Sequence, residues 1–268
     1  WSTFYYHKKY SGFIFDLDGV IYLDKVLLPF SKNIINTISR NNKPYLFMTN
    51  DSTLSPAAYS TLLKSLGIPC AKRQIITPLT NFFDIVGKNK KSVNVLALTS
   101  KKIKNFLKKN ARINLVDAKN DYKKAELVLV AGSMEFNYED LMYACLSIQN
   151  GSRVYATSVD NTYPSKLGNL PATGSIVAAI RKATACKVIN LGKPSLKIFN
   201  LALKQLDCPR QETLMIGDNL KTDIYGAQSS AIEAALVLTG KTNIKTAKES
   251  KIKASFILNN LKDMNKRK

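Results

Sequence analysis

The chain has 268 residues, 45% of them hydrophobic, and 40 lysines and arginines stand against 19 acids for a formal net charge of +21. That balance supports a sizeable buried core and excludes wholesale disorder. No apolar run is long enough to span a membrane, so a membrane is not an expected partner.

Residues 1–10 are polar and aromatic and are expected to pack on the first strand as an extension. Gly12-Phe13-Ile14-Phe15 is a short apolar run, suited to a strand buried on both faces of a parallel sheet. It ends in Asp16-Leu17-Asp18-Gly19. Ser31 is expected to cap a helix through residue 40, with Ile34, Ile35 and Ile38 on one face. A second apolar strand, 45–48, ends in Thr49-Asn50-Asp51, and Ser55-Pro56 starts a helix that stops at Gly67.

From about Asn81 the lysine density rises and a second α/β rhythm begins. Strands are expected over 92–98, 127–130 and 154–157, and helices over 101–110, 138–149 and 174–185. Leu191-Gly192-Lys193-Pro194-Ser195 then opens a helix over 196–206. A buried strand over 213–216 ends in Gly217-Asp218-Asn219, with Thr222 and Asp223 at the start of the next helix. Strands over 234–238 and 256–258 and a charged terminal helix complete the chain. Strands alternating with helices predict an α/β fold, a parallel sheet with helices on both faces.

His7 is the only histidine, which excludes a histidine-rich zinc site and argues against Ser-His-Asp or Cys-His catalysis. Cys70, Cys145, Cys186 and Cys208 are scattered with no C-x-x-C pair and read as reduced thiols of a cytoplasmic protein. The sequence given, which begins at Trp1, holds no signal-peptide pattern. The basic residues are mostly lysines on helix faces, as in Lys101, Lys102, Lys104, Lys108 and Lys109, and no tract interleaves them with aromatics. A solvated surface is therefore the favoured reading and nucleic acid is not an expected partner, although a positive field draws in anionic substrates.

Three strands end in unusual polar sequences, Asp16-x-Asp18, Thr49-Asn50 and Asp218-Asn219, and all three belong to one carboxyl edge of the sheet. Ligands of open α/β sheets bind along that edge. Asx turns and helix caps would account for each motif singly, but their joint occurrence fits covalent phosphoryl transfer. Such chemistry needs a carboxylate nucleophile, a second acid for the leaving-group proton, neutral donors for phosphoryl oxygens, a fixed cation and a metal. Asp16, Asp18, Thr49 with Asn50, and Lys193 supply the first four. Asp218, an Asp16 oxygen and the Asp18 carbonyl make an oxygen-rich corner suited to Mg²⁺. Asp223 is expected behind them, orienting Lys193 or a metal-bound water.

In this order, with Gly192-Lys193-Pro194 and Gly217-Asp218-x-x-x-Thr222-Asp223, the motifs resemble those of the haloacid dehalogenase superfamily. The likeness is to its phosphatase branch with a large α/β cap, which includes nitrophenyl phosphatases, pyridoxal phosphatases and NagD-type nucleotide phosphatases. The resemblance implies a Rossmann-like catalytic core over 1–80 and 188–268, with the inserted cap over 81–187. It implies that Asp16 forms an aspartyl-phosphate and that Asp18 protonates the leaving alcohol and then activates water. Thr49 and Asn50, with Asp51 beside them, would bind substrate. Lys193 would neutralise charge and Asp218 would ligate Mg²⁺, supported by Asp223 and Asn219. The substrate is expected to be a small phosphorylated metabolite: a nucleotide, pyridoxal phosphate, phosphoglycolate or a sugar phosphate. Caps of this type pair in relatives, which makes a homodimer through the cap an expectation.

The chain departs from the family pattern at Asn219, at Ser158-Val159-Asp160 and at Pro171-Ala172-Thr173-Gly174. None of these removes a catalytic group. The alternatives are a phosphotransferase of the same fold, and a basic polyanion-binding protein that keeps the fold without turnover.

Overall fold

The computed structural model describes residues 9–165 and 167–265. His7 and most of the expected N-terminal extension therefore lie outside the described residues, as do the last three residues of the chain. In chain order the elements begin with β1 (Gly12–Phe15), a small hairpin of β2 (Tyr22–Leu23) and β3 (Val26–Leu27), α1 (Ser31–Arg40), β4 (Tyr45–Met48), α2 (Pro56–Ser65) and β5 (Ile75–Ile76). They continue with α3 (Pro78–Gly87), β6 (Val93–Leu98), α4 (Lys101–Leu107), β7 (Ile113–Leu115), α5 (Ala118–Asp121), β8 (Leu127–Val130), α6 (Tyr138–Gln149) and β9 (Arg153–Ala156). A hairpin of β10 (Thr162–Ser165) and β11 (Gly168–Pro171) precedes α7 (Thr173–Thr184) and β12 (Val188–Asn190). The chain closes with α8 (Leu196–Leu206), β13 (Thr213–Gly217), α9 (Tyr225–Ser229), β14 (Glu233–Val237), α10 (Ile244–Glu249) and β15 (Phe256–Leu258).

These elements form two compact units. The first takes residues up to Thr49, Pro56–Ile76 and the chain from Lys193 on; the second takes Asn50–Ser55 and Thr77–Gly192. The boundaries expected at 80/81 and 187/188 fall a few residues inside the second unit. The reason is visible at Thr77, whose side chain caps α3, a helix that packs Leu79, Phe82 and Val86 onto the second sheet.

The first unit is built on a six-stranded sheet of order β15-β14-β13-β1-β4-β5, parallel throughout. The chain lays down β1, β4 and β5 in one direction, then returns to place β13, β14 and β15 on the other side of β1. The strand order thus reverses at β1, and the crevice beyond its carboxyl end is where such sheets bind ligands. Ile14, Leu46, Met48, Met215 and Leu236 of the sheet pack against Ile198, Phe199, Ala202 and Leu206 of α8. That explains the nearly unbroken apolar runs in these strands.

The second unit has a five-stranded sheet of order β12-β9-β8-β6-β7, also parallel. Along β6, Val95 and Ala97 face α3 and α4, while Leu96 and Leu98 face α6 and α7. Helices on both faces follow from that alternation.

Local differences from the sequence expectation have local causes. Ser31 begins α1 but does not cap it: its side chain is buried and donates to the Val20 carbonyl at 3.4 Å. The cap position is Phe30, in a left-handed conformation (φ 68°). The hairpins and the three-residue strands β7 and β12 carry too few residues for a periodic signal. Among the described residues, no helix is long and apolar enough to cross a membrane.

Candidate active site

The carboxyl end of β1 places Asp16 beside the ends of β13 and β4, because Phe15 registers with Ile216 on one side and Phe47 on the other. Asp16 is 8% exposed, and its Oδ1 accepts the Leu17 amide at 2.8 Å. Lys193 Nζ, 2% exposed, lies 2.7 Å from Asp16 Oδ1 and 2.7 Å from Asp223 Oδ1. It also donates to the Met48 carbonyl at 3.2 Å. One ammonium thus meets two carboxylates and the last carbonyl of β4.

Asp223 lies in a wide, π-type helical turn over Leu220–Ile224, a distortion that recurs at functional sites. Its other oxygen, Oδ2, accepts the amides of Asp218 at 3.2 Å and Asn219 at 3.0 Å. It therefore ties the motif-bearing turn to Lys193. Asn219 is engaged locally, its Oδ1 accepting the Lys221 amide at 3.0 Å.

Carboxylate oxygens of Asp16, Asp218 and Asp223 all lie within 4.8 Å of one another. Against these three buried acids stands the single ammonium of Lys193. Burial, then the Asp223 and Asp218 charges, push the Asp16 carboxyl well above its ordinary value despite Lys193. Burial and Asp223 push Asp218 up to about 6, opposed by the Lys241 amide and Lys193. Burial by itself would lower Lys193, but Asp16 and Asp223 outweigh it and raise it. The cluster is short of positive charge, and its hard oxygen donors suit a small divalent cation of the Mg²⁺ type rather than a thiophilic metal. The residues present fit such an ion.

Two glycines shape the cradle. A Cβ on Gly19 would sit 2.5 Å from Asp218 Oδ2 and 2.9 Å from the Gly240 Cα, and Gly19 has φ +75°. A Cβ on Gly240 would also collide with the Asp218 carboxylate. Gly19→Ala is therefore expected to cost about 2 kcal/mol or more of stability, combining left-handed strain with the clash; urea unfolding of both proteins measures it.

The loop after β14 was not singled out from the sequence. Lys241 donates its amide to Asp218 Oδ2 at 2.6 Å, and the Thr239 hydroxyl donates to the Gly19 carbonyl at 2.6 Å. The signal was available: β14 is a fourth apolar strand that ends in a polar, glycine-containing sequence at the same edge.

The remaining candidates are placed as follows. Asp18 is exposed, three residues past β1, and pairs in an isolated bridge with Tyr22. Thr49 is 2% exposed, and its amide donates to the Ile76 carbonyl at 3.1 Å. Asn50 and Asp51 follow it directly and belong to the second unit. Asp51 closes an Asx turn, accepting the Thr53 amide and hydroxyl, each at 2.9 Å. The fold thus gathers Asp16, Lys193, Asp218 and Asp223 into one cluster.

Comparison with known proteins agrees with this architecture. A family model described as haloacid dehalogenase-like hydrolase matches residues 13–111, and a second, described as HAD-hydrolase-like, matches 190–264. The 5'-nucleotidase YutF of Bacillus subtilis is 29% identical over 235 residues, covering 88% of this chain and 90% of its own. A single mutant of the thermostable NPPase of Geobacillus stearothermophilus superposes with a TM-score of 0.84 at 32% identity, covering 95% of this chain and 98% of its own. A glycerol phosphate phosphatase of Mycobacterium tuberculosis, solved in complex with magnesium, superposes with a TM-score of 0.86 at 25% identity, covering 97% and 77%. With matching models over residues 13–111 and 190–264 and a relative of 32% identity aligned over 95% of the chain, the chain belongs to the haloacid dehalogenase-like hydrolases and is an enzyme of their phosphatase branch.

Proposed function

We propose that the protein is a Mg²⁺-dependent phosphomonoesterase that hydrolyses a small phosphorylated metabolite through an aspartyl-phosphate on Asp16. The observation that carries this reading is the buried cluster itself: three acids sharing one lysine at the carboxyl end of β1. The relatives act on a nucleotide, on glycerol phosphate and as an NPPase, which supports a phosphomonoester of small size.

In this reading an Asp16 oxygen attacks phosphorus and the bond to the leaving oxygen breaks. Asp18, exposed to solvent and to the leaving group, gives that oxygen its proton. Asp18 then takes a proton from water as the water attacks the aspartyl-phosphate, releasing inorganic phosphate and restoring Asp16. The Thr49 hydroxyl and the Asn50 amide donate to phosphoryl oxygens. Lys193 keeps Asp16 oriented and offsets charge that gathers on the transferring group. Asp16, Asp218 and the Asp18 carbonyl would hold Mg²⁺, with Asp223 and Asn219 behind them; when bound, the ion supplies the positive charge that lets one anion approach another. Asp51, next to Thr49 and Asn50 in the chain, is the third substrate-binding residue of this reading.

Two further expectations accompany it. A cytoplasmic location is consistent with four cysteines that are all free thiols. Pairing of two copies through the second unit is consistent with its exposed apolar side chains, Met134 at 90%, Tyr138 at 78% and Leu167 at 90%.

The test is hydrolysis of nitrophenyl phosphate. Turnover is expected with Mg²⁺, to be abolished by a chelator and to return when Mg²⁺ is restored in excess. A protein with no turnover on any member of a broad phosphate-ester panel, with Mg²⁺ present, would leave the reading without support.

A further inference from the structure

Asn81 stands on α3 at 2% exposure, in a helix whose neighbours Leu79, Phe82 and Val86 all pack in the apolar core. Neither helix propensity nor core packing favours asparagine at such a position. Its Nδ2 donates to the Leu191 carbonyl at 2.7 Å, 110 residues away in sequence. Leu191 is the first residue past β12, where the sheet ladder no longer supplies a partner for its carbonyl.

The rest of this segment is also held. The Leu191 amide donates to the Ala156 carbonyl at 2.8 Å. The Gly192 amide donates to Asn190 Oδ1, and Asn190 Nδ2 donates to the Gly192 carbonyl, each at 3.1 Å. A Cβ on Gly192 would lie 2.5 Å from Asn50 Oδ1 and 2.5 Å from the Thr157 carbonyl, so this backbone is a wall against which Asn50 rests. The next residue is Lys193. Asn81 is thus a side-chain anchor of this segment that comes from a distant helix.

We propose that Asn81 is a positioning residue, fixing the Leu191–Gly192 peptide against which Asn50 rests and from which the chain runs directly into Lys193. The proposal rests on the reading above, in which Asn50 and Lys193 serve phosphoryl transfer. A purely structural role would satisfy a buried carbonyl and affect stability alone. A positioning role also affects turnover by folded enzyme, since misplacement by about 1 Å costs on the order of a hundredfold in rate.

The experiment compares wild type, Asn81→Leu, Asn81→Asp and, as a control, Lys193→Ala. The readouts are kcat and KM for nitrophenyl phosphate with saturating Mg²⁺ across the acid-to-neutral range, with folded fraction checked by circular dichroism. Asn81→Leu is expected to lower kcat by about ten- to a hundredfold at every pH, with a smaller change in KM. In Asn81→Asp, the protonated carboxyl can still donate to the Leu191 carbonyl, whereas the ionised form faces that oxygen with like charge. Its kcat relative to wild type is therefore expected to be highest at acid pH and to fall as pH rises. Folded variants with wild-type kcat, or an Asn81→Asp ratio that is flat with pH, would overturn the proposal. If Asn81→Leu does not fold, the pH ratio of Asn81→Asp still decides. Wild-type turnover by Lys193→Ala would instead overturn the underlying reading, whatever the Asn81 variants do.

Discussion

Asp16→Asn is expected to abolish turnover, by at least about 10⁴-fold, the scale on which nucleophile removal acts in well-studied hydrolases. The substitution keeps the shape of the side chain but removes the charge and the attacking oxygen. Its effect on folding should have the opposite sign. In the folded protein burial, Asp223 and Asp218 hold the Asp16 carboxyl well above its ordinary value, so its ionised form is disfavoured there. A carboxyl raised on folding contributes stability below its unfolded pKa and loses that contribution as pH rises through the folded value. Asp218, raised to about 6, acts in the same direction. Without divalent ions, wild-type stability is therefore expected to fall as pH rises from the ordinary carboxylate range past about 6. Asp16→Asn should escape part of that loss and be at least as stable as wild type at neutral pH. Urea titrations at several pH values in chelator, alongside nitrophenyl phosphate turnover in Mg²⁺, check both halves. An inactive variant that is also much less stable would point to a folding defect rather than a lost nucleophile.

Lys193→Met is the second large effect, and here activity and stability should fall together. The lysine is 2% exposed and 2.7 Å from both Asp16 and Asp223. A methionine fills its stem but leaves three clustered acids with no cation and the Met48 carbonyl without its ammonium donor. Breaking a buried pair by removing one partner costs about 3–5 kcal/mol, because a charge is left uncompensated. Turnover should fall by about 10³-fold, the scale for losing a fixed electrostatic contact to the transition state. Lys193→Arg should not restore it, since a planar guanidinium cannot occupy the point at which one ammonium meets three oxygens. Adding Asp223→Asn to Lys193→Met should return part of the stability and none of the activity, because it removes one uncompensated charge. A double-mutant cycle on unfolding free energies reads that coupling. Equal stability of Lys193→Met and wild type at neutral pH would mean that the cluster does not carry the charge assigned to it.

Much of the buried cluster was legible before any coordinate. Asp16, Asp218, Asp223 and Lys193 each sit at the end of an apolar strand or the start of a helix, where a buried sheet has no packing reason to spend a charge. Their order along the chain carried the resemblance to the family. Less visible was the loop of Thr239, Gly240 and Lys241, which acts mainly through backbone amide and missing Cβ atoms. Backbone groups are the same in every residue, so composition does not mark them. Asn81 was also silent, because a lone asparagine in an amphipathic helix looks like any polar residue until its partner, 110 residues away, is known. For Asp51, which the sequence placed among the substrate-binding residues, the fold adds a local turn in which its oxygens accept the Thr53 amide and hydroxyl.

What the sequence alone determined was the kind of protein: alternating apolar strands and helices, polar endings on the strands, and the acids and lysine of the family motifs in one order. Local rules suffice for these, since strand burial, turn chemistry and motif spacing act within a few residues. Only the tertiary structure decided which charges meet. That β13 and β4 flank β1 and not each other, that Lys193 is shared between Asp16 and Asp223, and that Asn81 reaches Leu191 all depend on strand order. Strand order is settled by how whole faces pack, a property of the folded sheet that no single stretch of chain contains.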